Sequence, residues 1–258
     1  MMNLRTSQSN QKGFSLVEVM VAATVGTAVI LMMTFAMRVG ADGFQQATQR
    51  IDAVVEARAA LSVMADDVST MVGGGTQEFG WDNTDERFHE VFFLTLKPVS
   101  AQDASSAVGD VCYVHYFTAI TQDAPVADAA FSRKLYRRFL SSGDILSRLT
   151  GGGLPTPNAD PNSAEVVAFN VTRFIAQPKA RLSDFGPLED WTPGNGVPEA
   201  LEVDFQVVDG DTAALMNQEA DWNFTTNRSQ NLVLEVNEND ESNRGRNFQL
   251  NLEIGHAN

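Results

Sequence analysis

The residue types that most often carry catalysis or bind metals are sparse and scattered along this 258-residue chain. Its three histidines, His89, His115 and His256, fall in neither an HExxH pattern nor a Cys/His zinc-binding pattern. There is no G-x-S-x-G nucleophile motif. The triple glycines at 73–75 and 151–153 are not followed by the Lys-Ser or Lys-Thr of a phosphate-binding loop. The sequence therefore predicts no enzyme activity, no catalytic residues and no cofactor.

Two acidic segments have the composition of a calcium site, because calcium takes many hard oxygen ligands. They are residues 82–86 (Asp-Asn-Thr-Asp-Glu) and residues 237–241 (Asn-Glu-Asn-Asp-Glu). Neither segment has the ligand spacing of an EF-hand loop. Solvated acidic loops are more common than calcium sites, so we predict no metal ligands and keep calcium as an alternative.

Charge and cysteine content limit the partners and the sources of stability. Lys and Arg number 18 against 33 Asp and Glu, and the resulting net charge of -15 opposes binding to nucleic acid. Cys112 is the only cysteine, so no intrachain disulfide can form. It lies in an alternating, strand-like stretch, which predicts a buried thiol rather than a reactive one.

The N-terminus contains a basic polar segment followed by a long apolar run. Residues 1–13 include Arg5 and Lys12 and no acid, and residues 14–37 include one charged residue, Glu18. As a helix this run would reach roughly 36 Å, enough to cross a hydrocarbon core of about 30 Å. The preceding basic residues predict a cytoplasmic N-terminus. Because the run is longer than the apolar part of a secretory signal peptide, we expect a single-pass transmembrane helix that is retained.

Glu18 is the residue of this run with the strongest chemical constraint. An ionised carboxylate inside a bilayer costs at least about 2.5 kcal/mol, so it is expected to have a partner or a function. The alternative is a glutamate near a helix end whose carboxylate extends to the membrane surface.

The beginning of the apolar run closely resembles the prepilin peptidase motif of type IV pilins and type II secretion pseudopilins. The resemblance is carried by Lys12-Gly13-Phe14-Ser15-Leu16-Val17-Glu18-Val19-Met20-Val21-Ala22. It implies cleavage between Gly13 and Phe14 on the cytoplasmic side, removal of the leader and N-methylation of Phe14. It also implies that Glu18 meets the amine of Phe14 on a neighbouring subunit during filament assembly. The implied partners are other pilin or pseudopilin subunits, a prepilin peptidase, an inner-membrane assembly platform and membrane lipid.

The helix is predicted to continue beyond the membrane as an amphipathic segment, residues 38–72. Apolar residues recur along one face of it, at Phe44, Ala47, Ile51, Val54, Leu61, Met64, Val68 and Met71. The glycines at 73–75 end this pattern, because glycine is unfavourable inside a helix and readily forms its C-terminal cap. The prediction is one helix over residues 14–72.

Residues 73–258 predict a β-rich domain outside the cytoplasm. Strand-like segments lie at 88–96, 111–120, 134–140, 166–176, 201–208, 232–236 and 248–254. Polar or Gly/Pro-rich segments at 77–87, 151–162, 184–198 and 237–245 predict surface loops, and residues 212–219 predict a short helix. The expected fold class is α+β, a long N-terminal helix packed on antiparallel β-sheets as in pilins.

Several outer segments resemble, more loosely, the minor pseudopilin J of type II secretion and the related minor pilin PilW. These segments are residues 58–68, 113–116, 134–138 and 197–203. The resemblance implies a minor pseudopilin of the bacterial inner membrane, with a periplasmic domain near the tip of a pseudopilus. One alternative is a minor type IV pilin in pilus assembly, adhesion or DNA uptake. Another is a membrane-tethered ligand-binding or hydrolytic domain.

Overall fold

The computed structural model describes residues 15–72, 79–102, 107–124, 129–150, 158–181, 187–192, 198–234 and 245–254. The helices are α1 (Leu16–Ser69), α2 (Ser142–Thr150), α3 (Gly210–Leu215), α4 (Glu219–Trp222) and α5 (Asn227–Ser229). The strands are β1 (Met71–Val72), β2 (Phe79–Asp82), β3 (Glu90–Leu96), β4 (Val111–Gln122), β5 (Phe131–Leu140), β6 (Glu165–Ala168), β7 (Val171–Arg181), β8 (Leu188–Asp190), β9 (Ala200–Val208) and β10 (Gly245–Glu253). The chain divides into two compact units, residues 1–48 and 49–258.

The strands form two antiparallel sheets. In sheet 1 the order is β1-β3-β4-β5-β6, with β2 also paired to β3, and in sheet 2 it is β10-β9-β7-β8. Every pair of neighbouring strands is antiparallel. The long N-terminal helix followed by these sheets confirms the predicted α+β class.

The hydrophobic core of the second unit joins the last part of α1 to both sheets. The helix contributes Ala57, Ala60, Leu61, Met64 and Val68, all buried. Sheet 1 adds Val91, Phe93, Val114, Tyr116 and Leu135, and sheet 2 adds Phe174, Ala176, Leu201, Val203 and Phe205. The alternation predicted for β9 is confirmed over residues 201–205, where Leu201, Val203 and Phe205 are buried and the residues between them are partly exposed, but it ends at Gln206, which is buried as well.

The predicted inward face of the helix is correct only near its C-terminal end. Leu61, Met64, Val68 and Met71 are buried, but Phe44 and Ile51 are 76% and 61% exposed. The face that enters the core instead begins at small residues, Ala57 and Ala60, which allow the sheets to approach the helix closely. Ile51 lies about a third of a turn away from the centre of this face.

The end of α1 also differs from the prediction. The helix stops at Ser69, and Met71 and Val72, expected to be helical, pair with Thr95 and Leu94 of β3. The Thr70 hydroxyl contacts the Thr95 hydroxyl at 2.7 Å, which fixes the chain where it leaves the helix. Residues 73–75 lie outside the described ranges.

The predicted strands near 88–96, 111–120, 134–140, 201–208 and 248–254 are confirmed as β3, β4, β5, β9 and β10. The segment 166–176 is wrong as one strand, because it divides into β6 in sheet 1 and β7 in sheet 2. Asn170 lies between them with φ of 54°, a left-handed conformation that redirects the chain.

The segment 232–236 is wrong as a strand where the structure describes it, since Gln230–Leu234 forms a short π-helical turn and Val233 enters the core. Two predicted loops, 77–87 and 184–198, contain β2 and β8. The predicted helix at 212–219 is replaced by α3 and α4, and the Asp209 side chain caps α3 by accepting from the Thr212 amide at 2.9 Å.

Candidate assembly site on the N-terminal helix

The first turn of α1 is closed by a reciprocal pair of hydrogen bonds between Ser15 and Glu18. The Ser15 amide donates to Glu18 Oε2 at 3.0 Å, and the Glu18 amide donates to Ser15 Oγ at 3.2 Å. This is a capping box, in which two amides that the helix itself leaves unsatisfied gain side-chain acceptors. The Glu18 carboxylate therefore has a partner within its own chain.

The capping role of Glu18 was missed in the sequence, although its signal is present. Ser15-Leu16-Val17-Glu18 followed by an apolar run is the capping-box pattern. Gly13 and Phe14, the predicted processing residues, lie outside the described residues. The pairing of Glu18 with the Phe14 amine of a neighbouring subunit accordingly stays a prediction.

The part of α1 that follows Glu18 exposes its apolar side chains. α1 is long and apolar enough to cross a membrane, and none of its most apolar 18-residue window is buried. Exposed large apolar residues in this part include Val25, Ile30, Leu31, Met32 and Phe35. A hydrophobic face of this size needs lipid or other apolar helices around it.

Polar side chains in this apolar segment are satisfied by the helix itself. The Thr24 hydroxyl donates to the Val21 carbonyl at 2.9 Å, and the Thr34 hydroxyl donates to the Ile30 carbonyl at 2.8 Å. The Thr27 hydroxyl donates to the Ala23 carbonyl in the same way. These hydroxyls need no water or external partner, as a lipid environment requires.

At the other end of α1, a buried carboxylate attaches the helix to sheet 1. Asp67 is 1% exposed, and its Oδ2 accepts from the Tyr116 hydroxyl at 2.6 Å and from Arg137 Nε at 2.7 Å. Its Oδ1 accepts from Arg137 Nη2 at 3.0 Å and lies 3.1 Å from Lys97 Nζ. Arg137 Nη1 also donates to Glu165 at 2.6 Å. With these bonds the buried charge is neutralised, which is the condition for its burial to be tolerated.

Burial and the Asp67 carboxylate change the proton affinity of its partners. Burial is the main reason that the pKa of Tyr116 lies well above its ordinary value, and Asp67 raises it further. Burial alone would lower the pKa of Arg137, but its hydrogen bonds to Asp67 and the attraction of that charge outweigh burial, so the pKa is raised. Tyr116 therefore remains a neutral donor and Arg137 a cation near neutral pH.

His89 and His115 have structural partners outside the Asp67 network. His89 Nδ1 lies 3.1 Å from the Ala176 carbonyl, and His115 Nε2 lies 3.1 Å from Glu90 Oε2. Cys112 is buried, as predicted, and burial raises the pKa of its thiol. His256 lies outside the described residues.

The acidic segment 82–86 forms local hydrogen bonds. Asp82 Oδ1 accepts from the Thr84 amide at 2.8 Å, and Asp85 Oδ1 accepts from the Arg87 amide at 2.8 Å. The Thr84 hydroxyl and amide lower the pKa of Asp82. Within the described ranges no group of three or more His, Cys, Asp or Glu residues is arranged to hold a metal ion. The segment 237–241 is not among the described residues.

Comparison with known families matches residues 8–34 to the prokaryotic N-terminal methylation motif. Comparisons with curated proteins and with solved structures returned no match. The motif, joined to a long exposed apolar helix and an antiparallel β domain, indicates a type IV pilin-like or pseudopilin subunit. The motif implies processing by a prepilin peptidase and assembly with other pilin subunits.

Proposed function

We propose that the chain is a minor pseudopilin of a type II secretion system, anchored in the bacterial inner membrane and incorporated at or near the tip of a pseudopilus. Its role is structural rather than enzymatic. The observation that carries this proposal is the methylation motif at residues 8–34, which overlaps the start of α1. The same helix exposes apolar side chains near its beginning and enters the core of a β domain near its end.

In this proposal a prepilin peptidase cuts between Gly13 and Phe14, releases residues 1–13 and methylates the new amine of Phe14. The N-terminus faces the cytoplasm and residues 73–258 fold in the periplasm. The basic residues Arg5 and Lys12 support this orientation, because positive charges are retained on the cytoplasmic side.

Glu18 would exchange one partner for another during assembly. Before assembly its carboxylate accepts from the neutral Ser15 amide at 3.0 Å. In a filament the Phe14 amine of a neighbouring subunit would offer a charged donor, and charge-assisted hydrogen bonds are roughly twice as strong as neutral ones. The capping box would therefore keep the carboxylate satisfied in the membrane until a stronger partner arrives.

The processing step is tested by mass spectrometry of the chain after co-expression with a prepilin peptidase. The expected product lacks residues 1–13 and carries one methyl group on Phe14, and Gly13→Ala abolishes both changes. Glu18→Ala is the matched control for cleavage, because it is expected to leave the Gly13–Phe14 bond cleavable while preventing assembly. An intact N-terminus in the presence of active peptidase would overturn the proposal.

The position at the tip is supported by the large share of the chain that lies after the helix, since a bulky domain is easier to place once at an end than repeatedly along a shaft. We expect the chain to be present in far fewer copies than the major subunit when purified filaments are quantified. Copy numbers close to those of the major subunit would contradict a minor role.

The alternative is a minor type IV pilin that acts in pilus assembly, adhesion or DNA uptake, because the methylation motif is common to both systems. Deletion of the chain separates the two functions. Loss of exoprotein secretion with normal piliation supports the pseudopilin, whereas loss of pili with normal secretion supports the pilin.

A further inference from the structure

Strand β10 has one unpaired side in the part of the chain that the structure describes. On its other side its nine residues pair with β9, from Gly245 opposite Val208 to Glu253 opposite Ala200. The order β10-β9-β7-β8 places β10 at the edge of sheet 2. An edge strand presents a row of backbone N–H and C=O groups that can pair with another chain.

The other sheet edges are short, irregular or charged. β1 has two residues, and β2, which pairs with β3 next to it, has four. β6 has four with a register irregularity opposite β5, and β8 has three, of which two are Glu189 and Asp190. β10 is longer, and its residues 247–252, Asn-Phe-Gln-Leu-Asn-Leu, include no charge and no proline. Such an edge lacks the features that normally prevent strand addition.

A groove of about 510 Å³ runs between this edge and α1. Its walls are Arg58, Leu61, Ser62 and Ala65 from the helix and Asn247, Phe248, Gln249 and Leu250 from the strand. Phe248 and Leu250 pack against the core but remain only partly buried. One more strand beside β10 would cover their exposed apolar surface.

We propose that the edge of β10 binds an extended segment of a different subunit by β-strand addition. The added strand carries apolar residues at alternate positions, which face α1 next to Phe248 and Leu250, and polar residues between them. The added strand also carries a net negative charge in this proposal. Arg58 is the only charged residue among the groove residues named above, and its positive charge favours an acidic partner. Backbone hydrogen bonds would supply affinity, and the groove would select the side chains.

A second copy of this chain fits the edge poorly. Antiparallel pairing of two β10 strands in one continuous sheet requires a two-fold axis perpendicular to that sheet, and this axis reverses the direction of a helix packed on it. Two α1 helices running in opposite directions cannot enter one membrane from the same side. The exclusion of a second copy rests on the proposed membrane anchor. The groove and the edge of β10, as described, do not depend on that anchor.

The test uses the full-length chain in detergent micelles and a fluorescein-labelled peptide with the sequence of β9, Ala-Leu-Glu-Val-Asp-Phe-Gln-Val-Val. This probe has the required alternation and two carboxylates, and its sequence already pairs with β10 in the fold. Fluorescence anisotropy measures binding, and hydrogen exchange measures protection of the β10 amides. We expect saturable binding that slows exchange in β10.

Matched variants of α1 test whether the groove is the binding site. Ser62→Trp fills the groove from an exposed position and is expected to weaken binding at least about tenfold. Ala59→Trp adds the same side chain at an exposed helix position that is not among the groove residues, and should leave binding unchanged. Arg58→Glu should weaken binding of the acidic probe and strengthen binding of a probe with lysines in place of both acids.

Three results would overturn the inference: no binding, binding that is insensitive to Ser62→Trp, or protection outside β10. A concentration-dependent dimer abolished by Ser62→Trp but not by Ala59→Trp would instead identify a second copy as the occupant. The assay uses unprocessed chain, so its result does not depend on cleavage after Gly13. If the probe binds but the peptidase does not cleave the chain, the proposed function is overturned and the inference about β10 stands.

Discussion

The N-terminal and C-terminal parts of α1 differ in how their apolar side chains are covered and how their polar groups are hydrogen-bonded. Met32 and Met64 lie on one continuous helix, yet Met32 is 72% exposed and Met64 is 0% exposed. The polar groups differ in the same manner. Glu18 is satisfied by Ser15 in its own first turn, whereas Asp67 depends on Tyr116 and Arg137 from sheet 1.

The difference shows which surroundings each part needs. The beginning of the helix satisfies its polar groups locally and leaves its apolar surface uncovered, so it requires an apolar environment but no particular fold. The end of the helix depends on residues far away in sequence. Substitutions near Met64 should therefore change the stability of the β domain, and substitutions near Met32 should not.

The largest expected effect comes from removing the buried carboxylate. Asp67→Ala leaves Tyr116 without its acceptor and Arg137 and Lys97 partly unpaired, and should lower the free energy of unfolding by about 3 to 5 kcal/mol. Urea unfolding of the full chain in detergent, followed by intrinsic tryptophan fluorescence, to which the buried Trp191 and Trp222 contribute, measures this loss. Asp66→Ala is the control, because its side chain is 73% exposed and its loss should cost no more than about 1 kcal/mol. Equal effects would show that the Asp67 network does not hold the helix.

The next effect concerns packing and tests the comparison directly. Met64→Ala creates a cavity between α1 and the sheets and should cost about 2 to 5 kcal/mol. Met32→Ala removes the same atoms from an exposed position of the same helix and should leave the urea midpoint of the β domain unchanged. A shift of that midpoint in the Met32 variant would mean that the first part of α1 also supports the domain.

A smaller effect is expected at the first turn. Ser15→Ala removes the acceptor for the Glu18 amide and should destabilise this turn by about 1 kcal/mol, which corresponds to roughly fivefold faster amide exchange at Glu18. Ser15→Thr keeps a hydroxyl acceptor and should restore slow exchange. If alanine and threonine variants exchange equally fast, the capping box does not stabilise the turn in micelles.

The smallest effect depends on pH. Burial raises the pKa of Glu56, and the hydrogen bond from the Phe169 amide offsets this only in part. Because its pKa is higher in the folded than in the unfolded state, ionised Glu56 lowers stability at neutral pH, and this penalty disappears as the pH falls through the folded pKa. Glu56→Gln should raise stability at pH 7 by less than about 1 kcal/mol, with a smaller gain in acid. An equal gain at both pH values would exclude ionisation as the cause.

Local patterns predicted most of the regular structure. The apolar run predicted α1, and alternation predicted β9 and β10, because each pattern reflects one buried face. Alternation did not predict the break between β6 and β7, because strand-favouring residues lie on both sides of Asn170 and the sequence reads as one strand. It also did not predict β2 and β8, which have only four and three residues and become strands through pairing with β3 and β7.

The candidate site was predictable where its signal is local. Glu18 is conspicuous as the one charge in an apolar run, and its capping role follows from its spacing to Ser15. The pair Asp66-Asp67 is visible in the sequence, but only the fold shows that one carboxylate is buried and the other exposed. The partners of Asp67 lie 49 and 70 residues away, beyond the range of any local pattern.

Cys112 has a practical consequence for following this protein in living cells. Its thiol is buried and is the sole sulfhydryl of the chain, so oxidants and maleimide dyes should react little with the unmodified protein. A cysteine placed at an exposed position, such as Gln249 in β10, would become the one readily labelled group. Dye accessibility at that position would then report whether the edge of β10 is covered in the cell.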